Sequence, residues 1–310
     1  MKKIVVVGST NIDFVVRLTE MPKKGETVHT KSFDKIPGGK GANQACAVGK
    51  LGGNCTFLSA VGNDGVSELA LNSLRAANVN IRPILISDDT STGIAIIAVN
   101  DEGENSIMII PGANSLCDND YFTAHQSELN DADYVIAQLE TPIDDVYNLL
   151  VAAKEAKKVT ILNPAPAPDT IPDLVLSHID FLTPNETELA KVAGMPTETI
   201  PEITAAAEAL LQRGVGNVLV TVGSRGALLC NRNGSHLYPA YPQKPSTQLP
   251  QEIPSTLPLP LLWRKAGPWT RPSSLQMLPP DFPSPVRALR PQSPAAARFL
   301  ILCAIMRFDA

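Results

Sequence analysis

"KKIVVVGSTNID", Lys2 to Asp13, decides the fold class. Ile4 to Val7 is an unbroken run of β-branched apolar residues, with none of the alternation of a half-exposed strand. Such a run reads as a strand buried on both faces, the habit of parallel sheets. It stops at Gly8 and passes at once to polar residues. In open α/β sheets ligands lie beyond the carboxyl ends of the strands. Asn11 and Asp13 are therefore the first candidate ligand residues, although turn caps use the same residue types. Two lysines before so short a run do not make a signal-peptide core.

The same grammar repeats outward. "GANQACAVGKLGG" reads as a helix stopped by glycine, "CTFLSAVGND" as a strand and "VSELALNSLRAANV" as a helix. "ADYVIAQLE", "PIDDVYNLLVAAKEAK", "KVTILNPAP", "IDFLTPN", "ETELAKVAG", "PEITAAAEALLQRG" and "VGNVLVTVGSRG" continue the alternation of strand and helix. The expectation is a doubly wound, mostly parallel α/β sheet flanked by helices. "GETVHTKSF", "TGIAIIAVN" and "NSIMIIPG" break the alternation, the last two joined by a "DEGE" turn. They predict a small β-sheet lid within about residues 12–37 and 91–112.

Polar clusters gather at the predicted strand ends. Glu140 follows one strand. Asn185 and Glu188 lie at a strand-to-helix junction, with the spacing of a capping box. Thr221, Val222, Gly223, Ser224, Arg225 and Gly226 follow a late strand and could equally form a hairpin turn. Gly38, Gly39, Lys40 and Asn43 precede the first helix, where backbone N–H groups can approach an anion or a hydroxyl because glycine has no Cβ. The first loop lacks the later glycines of a dinucleotide fingerprint, and "GGKGANQ" lacks the spacing of a Walker loop.

Together these segments resemble the ribokinase family of carbohydrate kinases, from about Lys3 to Pro245. The resemblance is carried by "GSTNID", "GETV", "PGGKGANQA", "GEN", "QLETP", "LNPAPA", "TPNETE" and "TVGSRG", in order. It implies ATP-dependent phosphorylation of D-ribose at its 5-hydroxyl. Asn11, Asp13, Gly38, Gly39, Lys40, Asn43 and Glu140 would hold the sugar. Asn185 and Thr221 to Gly226 would hold ATP, and Glu188 would act on Mg²⁺ indirectly. The lid would be a homodimer surface. Another pentose, or a nucleoside, stays open as the substrate.

The chain of 310 residues is 44% hydrophobic with net charge −5, which argues against nucleic-acid binding. Five scattered cysteines imply no disulfide framework and suit a cytoplasmic setting. "FLILCAIM" is far shorter than the ~20 residues of a membrane span.

Composition changes sharply at Ser246. From there on stand 12 of the 27 prolines, both tryptophans, and one glycine of 20. The part before it carries 19 Lys/Arg against 28 Asp/Glu. The family should continue past "PQKP" with a V-D-[ST]-x-G-A-G-D-like loop, whose aspartate takes the proton from the attacking hydroxyl. Here Asp281 and Asp309 are the only later aspartates, and neither lies in a glycine loop. A natural proline-rich, disordered extension is one explanation. A polyproline ligand for aromatic-grooved domains is another, with weak motifs. The genetic code supports a third. Joining the last base of each codon to the first two of the next lets Pro245 to Leu257 spell V-D-S-T-A-A-G-D-T-F-N-A. Residues 246–310 are thus expected to be an out-of-frame, disordered reading caused by one lost nucleotide. The chain as written would then have no catalytic base and no site for the family's K⁺-like ion. It would be a kinase without turnover, or a sugar-binding remnant.

Overall fold

The computed structural model describes residues 2–239. The expected tail, 246–310, lies outside the described residues. The strands are β1 (Lys3–Val7), β2 (Asn11–Arg17), β3 (Ser32–Gly38), β4 (Asn54–Leu58), β5 (Ala60–Gly62), β6 (Leu85–Ser87), β7 (Gly93–Val99), β8 (Asn105–Ile110), β9 (Tyr134–Ala137), β10 (Val159–Leu162), β11 (Phe181–Leu182), β12 (Asn217–Thr221), β13 (Ala227–Asn231) and β14 (Gly234–Tyr238). The helices are α1 (Lys40–Lys50), α2 (Ser67–Ala76), α3 (Asn119–Ala124), α4 (Gln126–Asp131), α5 (Ile143–Glu155), α6 (Asp173–Leu176), α7 (Glu186–Ala193) and α8 (Ile200–Gln212).

Eight strands form the main sheet in the order β14-β13-β12-β11-β10-β9-β1-β4. The pairs from β4 to β12 are parallel, and β12-β13-β14 is an antiparallel extension. Alternate residues of one strand feed two cores, as the pleat requires. Val5 and Val7 join the core under α3 to α8, while Ile4 and Val6 join the core under α1 and α2. The doubly wound expectation holds, and the unbroken apolar run of β1 is explained: both of its faces are covered.

The strand order reverses between β1 and β9. Chain progression runs from β1 to β4 on one side and from β9 to β12 on the other. Such a reversal opens a crevice at the carboxyl ends, the usual ligand position in these sheets.

The second sheet, β3-β2-β7-β8, is the expected lid. β7 and β8 pair antiparallel across the predicted turn, where the Asn100 side chain binds Glu104. One expectation is corrected here. "GETVHTKSF" does not form a strand along its length; pairing begins only at Ser32. Residues 25–31 are mostly polar and exposed, and the ladder with β2 starts where the Lys31 N–H donates to the Arg17 carbonyl at 2.8 Å.

Candidate active site

The crevice between β1 and β9 collects the first group of predicted residues. Asn11 and Asp13 are not turn residues; they lie on β2, which leaves the end of β1 and enters the lid. Gly38 closes β3, Gly39 is the N-cap of α1, and Lys40 is its first residue. Glu140 lies three residues beyond β9. Three segments distant in sequence thus meet at one end of the sheet.

Glycine is required twice here. Gly39 has φ +89°, and a Cβ on it would lie 2.7 Å from the Ser9 carbonyl oxygen. A Cβ on Gly41 would lie 2.6 Å from the backbone of Gly8 and Ser9. The amino end of α1 therefore rests directly on the end of β1.

Lys40 and Glu140 form an ion pair, Nζ to Oε1 at 2.7 Å, with Glu140 only 10% exposed. The Lys40 N–H also donates to Glu140 Oε2 at 3.0 Å. The Asp13 carboxylate lies against Gly38, where an added Cβ would approach within 2.3 Å of Oδ1. Burial first, and Glu140 second, push the Asp13 carboxyl up to about 6, while Lys40 draws it down. The site therefore holds two carboxylates and one ammonium. Asn43 follows on the first turn of α1, half-buried.

Four residues of this site were not singled out from the sequence. Asn114 donates its Nδ2 to Asn11 Oδ1 at 2.7 Å and accepts the Thr10 N–H at 2.8 Å. It thereby fixes Asn11 and leaves the Asn11 amide N–H groups as donors. Gln138 Nε2 donates to Gln44 Oε1 at 2.6 Å, tying the end of β9 to α1. Ser9 donates to Glu140 Oε2 at 2.5 Å. All four are buried.

The second group gathers at β11 and β12. The Thr221 N–H donates to the Pro184 carbonyl at 3.1 Å, and Asn185 and Thr221 form a parallel bridge. Asn185 and Glu188 make the predicted capping box of α7. Asn185 Oδ1 accepts the Glu188 N–H at 2.7 Å, and Glu188 Oε2 accepts the Asn185 N–H at 2.8 Å. Val222 to Gly226 are the connection from β12 to β13, including a 3-10 turn at Gly223–Arg225. Gly223, Ser224 and Arg225 are exposed, and Arg225 pairs with Glu186. A Cβ on Gly223 would meet nothing within 4 Å, so the turn is open to solvent at that residue. Among the described residues no cluster of three His, Cys, Asp or Glu side chains could hold a metal.

The two groups lie at the same end of the sheet, beyond the carboxyl ends of its parallel strands. β10 and its neighbours separate them, at ~4.8 Å per strand step, so roughly 10 Å lies between the ends of β9 and β11.

Residues 1–246 match the model of the pfkB family of carbohydrate kinases, and the chain belongs to that family. It is similar to the ribokinase of Staphylococcus aureus strain COL, 36% identical over 241 residues, 77% of this chain and 79% of that protein. It is also similar to the bifunctional ribokinase/ribose-5-phosphate isomerase A of Fructilactobacillus sanfranciscensis, 38% identical over 245 residues. That match covers 79% of this chain but only 45% of the larger protein. Among solved structures, Arabidopsis thaliana ribokinase complexed with ribose and ATP superposes with a TM-score of 0.70. It is 34% identical, over 78% of this chain and 79% of that one.

Proposed function

We propose that the crevice between β1 and β9 binds D-ribose, and that the chain as written binds it without phosphorylating it. The observation that carries the sugar reading is the convergence of Asn11, Asp13, Lys40 and Glu140 at the strand-order reversal. A sugar hydroxyl both donates and accepts, and the site offers both partners. Asp13 accepts when ionised, while Lys40 and the Asn11 amide donate. Two carboxylates against one ammonium disfavour a sugar that already carries a phosphate. This selects a neutral acceptor. The likeness to proteins named ribokinases points to ribose among the pentoses.

ATP would lie beyond the carboxyl ends of β11 and β12, against Asn185 and the turn from Thr221 to Gly226. Magnesium neutralises the phosphates of such a nucleotide when bound, and it is held largely by phosphate and water rather than by a protein cage. Glu188, whose Oε2 accepts the Asn185 N–H at the start of α7, would act on it indirectly. No glycine loop with an aspartate follows Pro245 in the sequence. A missing general base costs ~10²–10⁴ in rate, and losing anion-stabilising donors costs roughly another 10²–10³. The two losses need not multiply.

Calorimetric titration of the full chain with D-ribose, without ATP, tests the sugar reading. Saturable heat that D-ribose produces and ribose 5-phosphate does not is the expected result. Absence of heat, or equal heat from both, would refute it.

A further inference from the structure

Ser9 stands at the end of β1 with none of its surface exposed. An α-helix begins with N–H groups that have no partner inside the helix. The N-cap of α1 is Gly39, which has no side chain to offer them. Its first three N–H groups are met from other elements. Lys40 donates to Glu140 Oε2 at 3.0 Å. Gly41 donates to Ser9 Oγ at 3.3 Å, and Ala42 to the Ser9 carbonyl at 2.9 Å. The Ser9 hydroxyl in turn donates to Glu140 Oε2 at 2.5 Å. One buried serine therefore joins the end of β1, the start of α1 and the residue beyond β9.

We propose that Ser9 is a positioning residue of the sugar site. It caps α1 in place of Gly39 and holds Glu140 so that one acceptor position remains for the sugar. An ionised carboxylate offers about four lone-pair positions. Ser9 and the Lys40 N–H occupy two on Oε2, and Lys40 Nζ occupies one on Oε1. The remaining position, on Oε1, takes a single sugar hydroxyl. Serine suits the place because Gly41 packs on the Gly8–Ser9 backbone, leaving room for a hydroxyl one carbon away. The inference rests on the sugar reading for its ligand, but the clamp can be tested without any ligand.

The test compares the full chain with Ser9→Ala, Glu140→Gln and the double variant. Amide hydrogen exchange is followed at Lys40 and Gly41 without sugar, and D-ribose affinity is measured by calorimetry. Ser9→Ala should speed exchange at both amides and weaken ribose about tenfold, as expected for a lost cap of ordinary size. In the Glu140→Gln background the same change should weaken ribose far less, because the two residues act as one unit. Unchanged exchange at Lys40 would overturn the clamp. An equal loss of affinity in both backgrounds would show that Ser9 does not act through Glu140 and would overturn the proposal. Exchange that responds in a chain taking up no ribose would support the clamp and overturn the sugar reading. Should Ser9→Ala unfold the chain, Glu140→Ala approaches from the other end. Exchange must then rise at Lys40 and stay slow at Gly41; an equal rise at both would overturn the proposal.

Discussion

Asp13 carries the sharpest expectation at the scale of single residues. Its carboxyl is pushed up to about 6, by burial first and by Glu140 second. Such a group favours the folded chain when protonated. Stability from this source falls as the pH rises from about 4 through 6, and stays low above that. Sugar binding runs the other way, since only the ionised form accepts two hydroxyls. Ribose affinity should be constant from pH 7 to 8 and about tenfold weaker at pH 5. Asp13→Asn should bind ribose weakly, without that pH dependence. It should also melt higher than the unmodified chain at pH 8, with the advantage shrinking at pH 5. Calorimetry and thermal melts across the range check both, and an unchanged pH profile in Asp13→Asn would contradict the assignment. Gly39→Ala tests the backbone. Its φ of +89° and its contact with the Ser9 carbonyl leave no place for a methyl group. The variant should lose ribose binding and at least ~1 kcal/mol of stability.

Among the elements, α7 was the most legible. The spacing of Asn185 and Glu188 announced a capping box, which is present at both of its hydrogen bonds. Asn185→Ala should cost ~1 kcal/mol by denaturant melt. Thr199 is the N-cap of α8, its side chain accepting the Glu202 N–H; if Asn185 also faces the nucleotide, ATP affinity should fall more in Asn185→Ala than in the matched Thr199→Ala. Other elements were harder to see. α3 and α4 have six residues each, too few to show a helical period. Ser9 and Asn114 look like ordinary turn residues in the sequence; Ser9 meets Glu140 across 131 positions, and no local pattern records such a contact. The lid presents a further case. All six residues of β8 are exposed, and Ile107, Met108, Ile109 and Ile110 are 45–56% exposed on an edge strand. An exposed apolar edge of this kind is a pairing surface. We expect a homodimer through the lid that Ile109→Glu converts to monomer, measured by light scattering. A monomer already in the unmodified chain would remove the lid from that role.

At the scale of the molecule, the α/β part up to Gly226 was readable because its motifs are short and its strands are nearly unbroken apolar runs. The reversal between β1 and β9 was not readable, because strand order depends on pairings that no single segment encodes. The break in composition at Ser246 bears on chemistry rather than on fold. A carbohydrate kinase positions two substrates and stabilises the transferring group, and on the proposed reading this sequence provides residues for the first task only. The most direct test is a coupled assay with ATP, Mg²⁺ and D-ribose, on the chain as written and on one with a single nucleotide inserted at the Pro245 codon. On the lost-frame reading both chains bind ribose, but only the second forms ribose 5-phosphate, at a turnover within the usual ~1–10³ s⁻¹. Turnover at that rate by the chain as written, or none from the repaired chain, would contradict it.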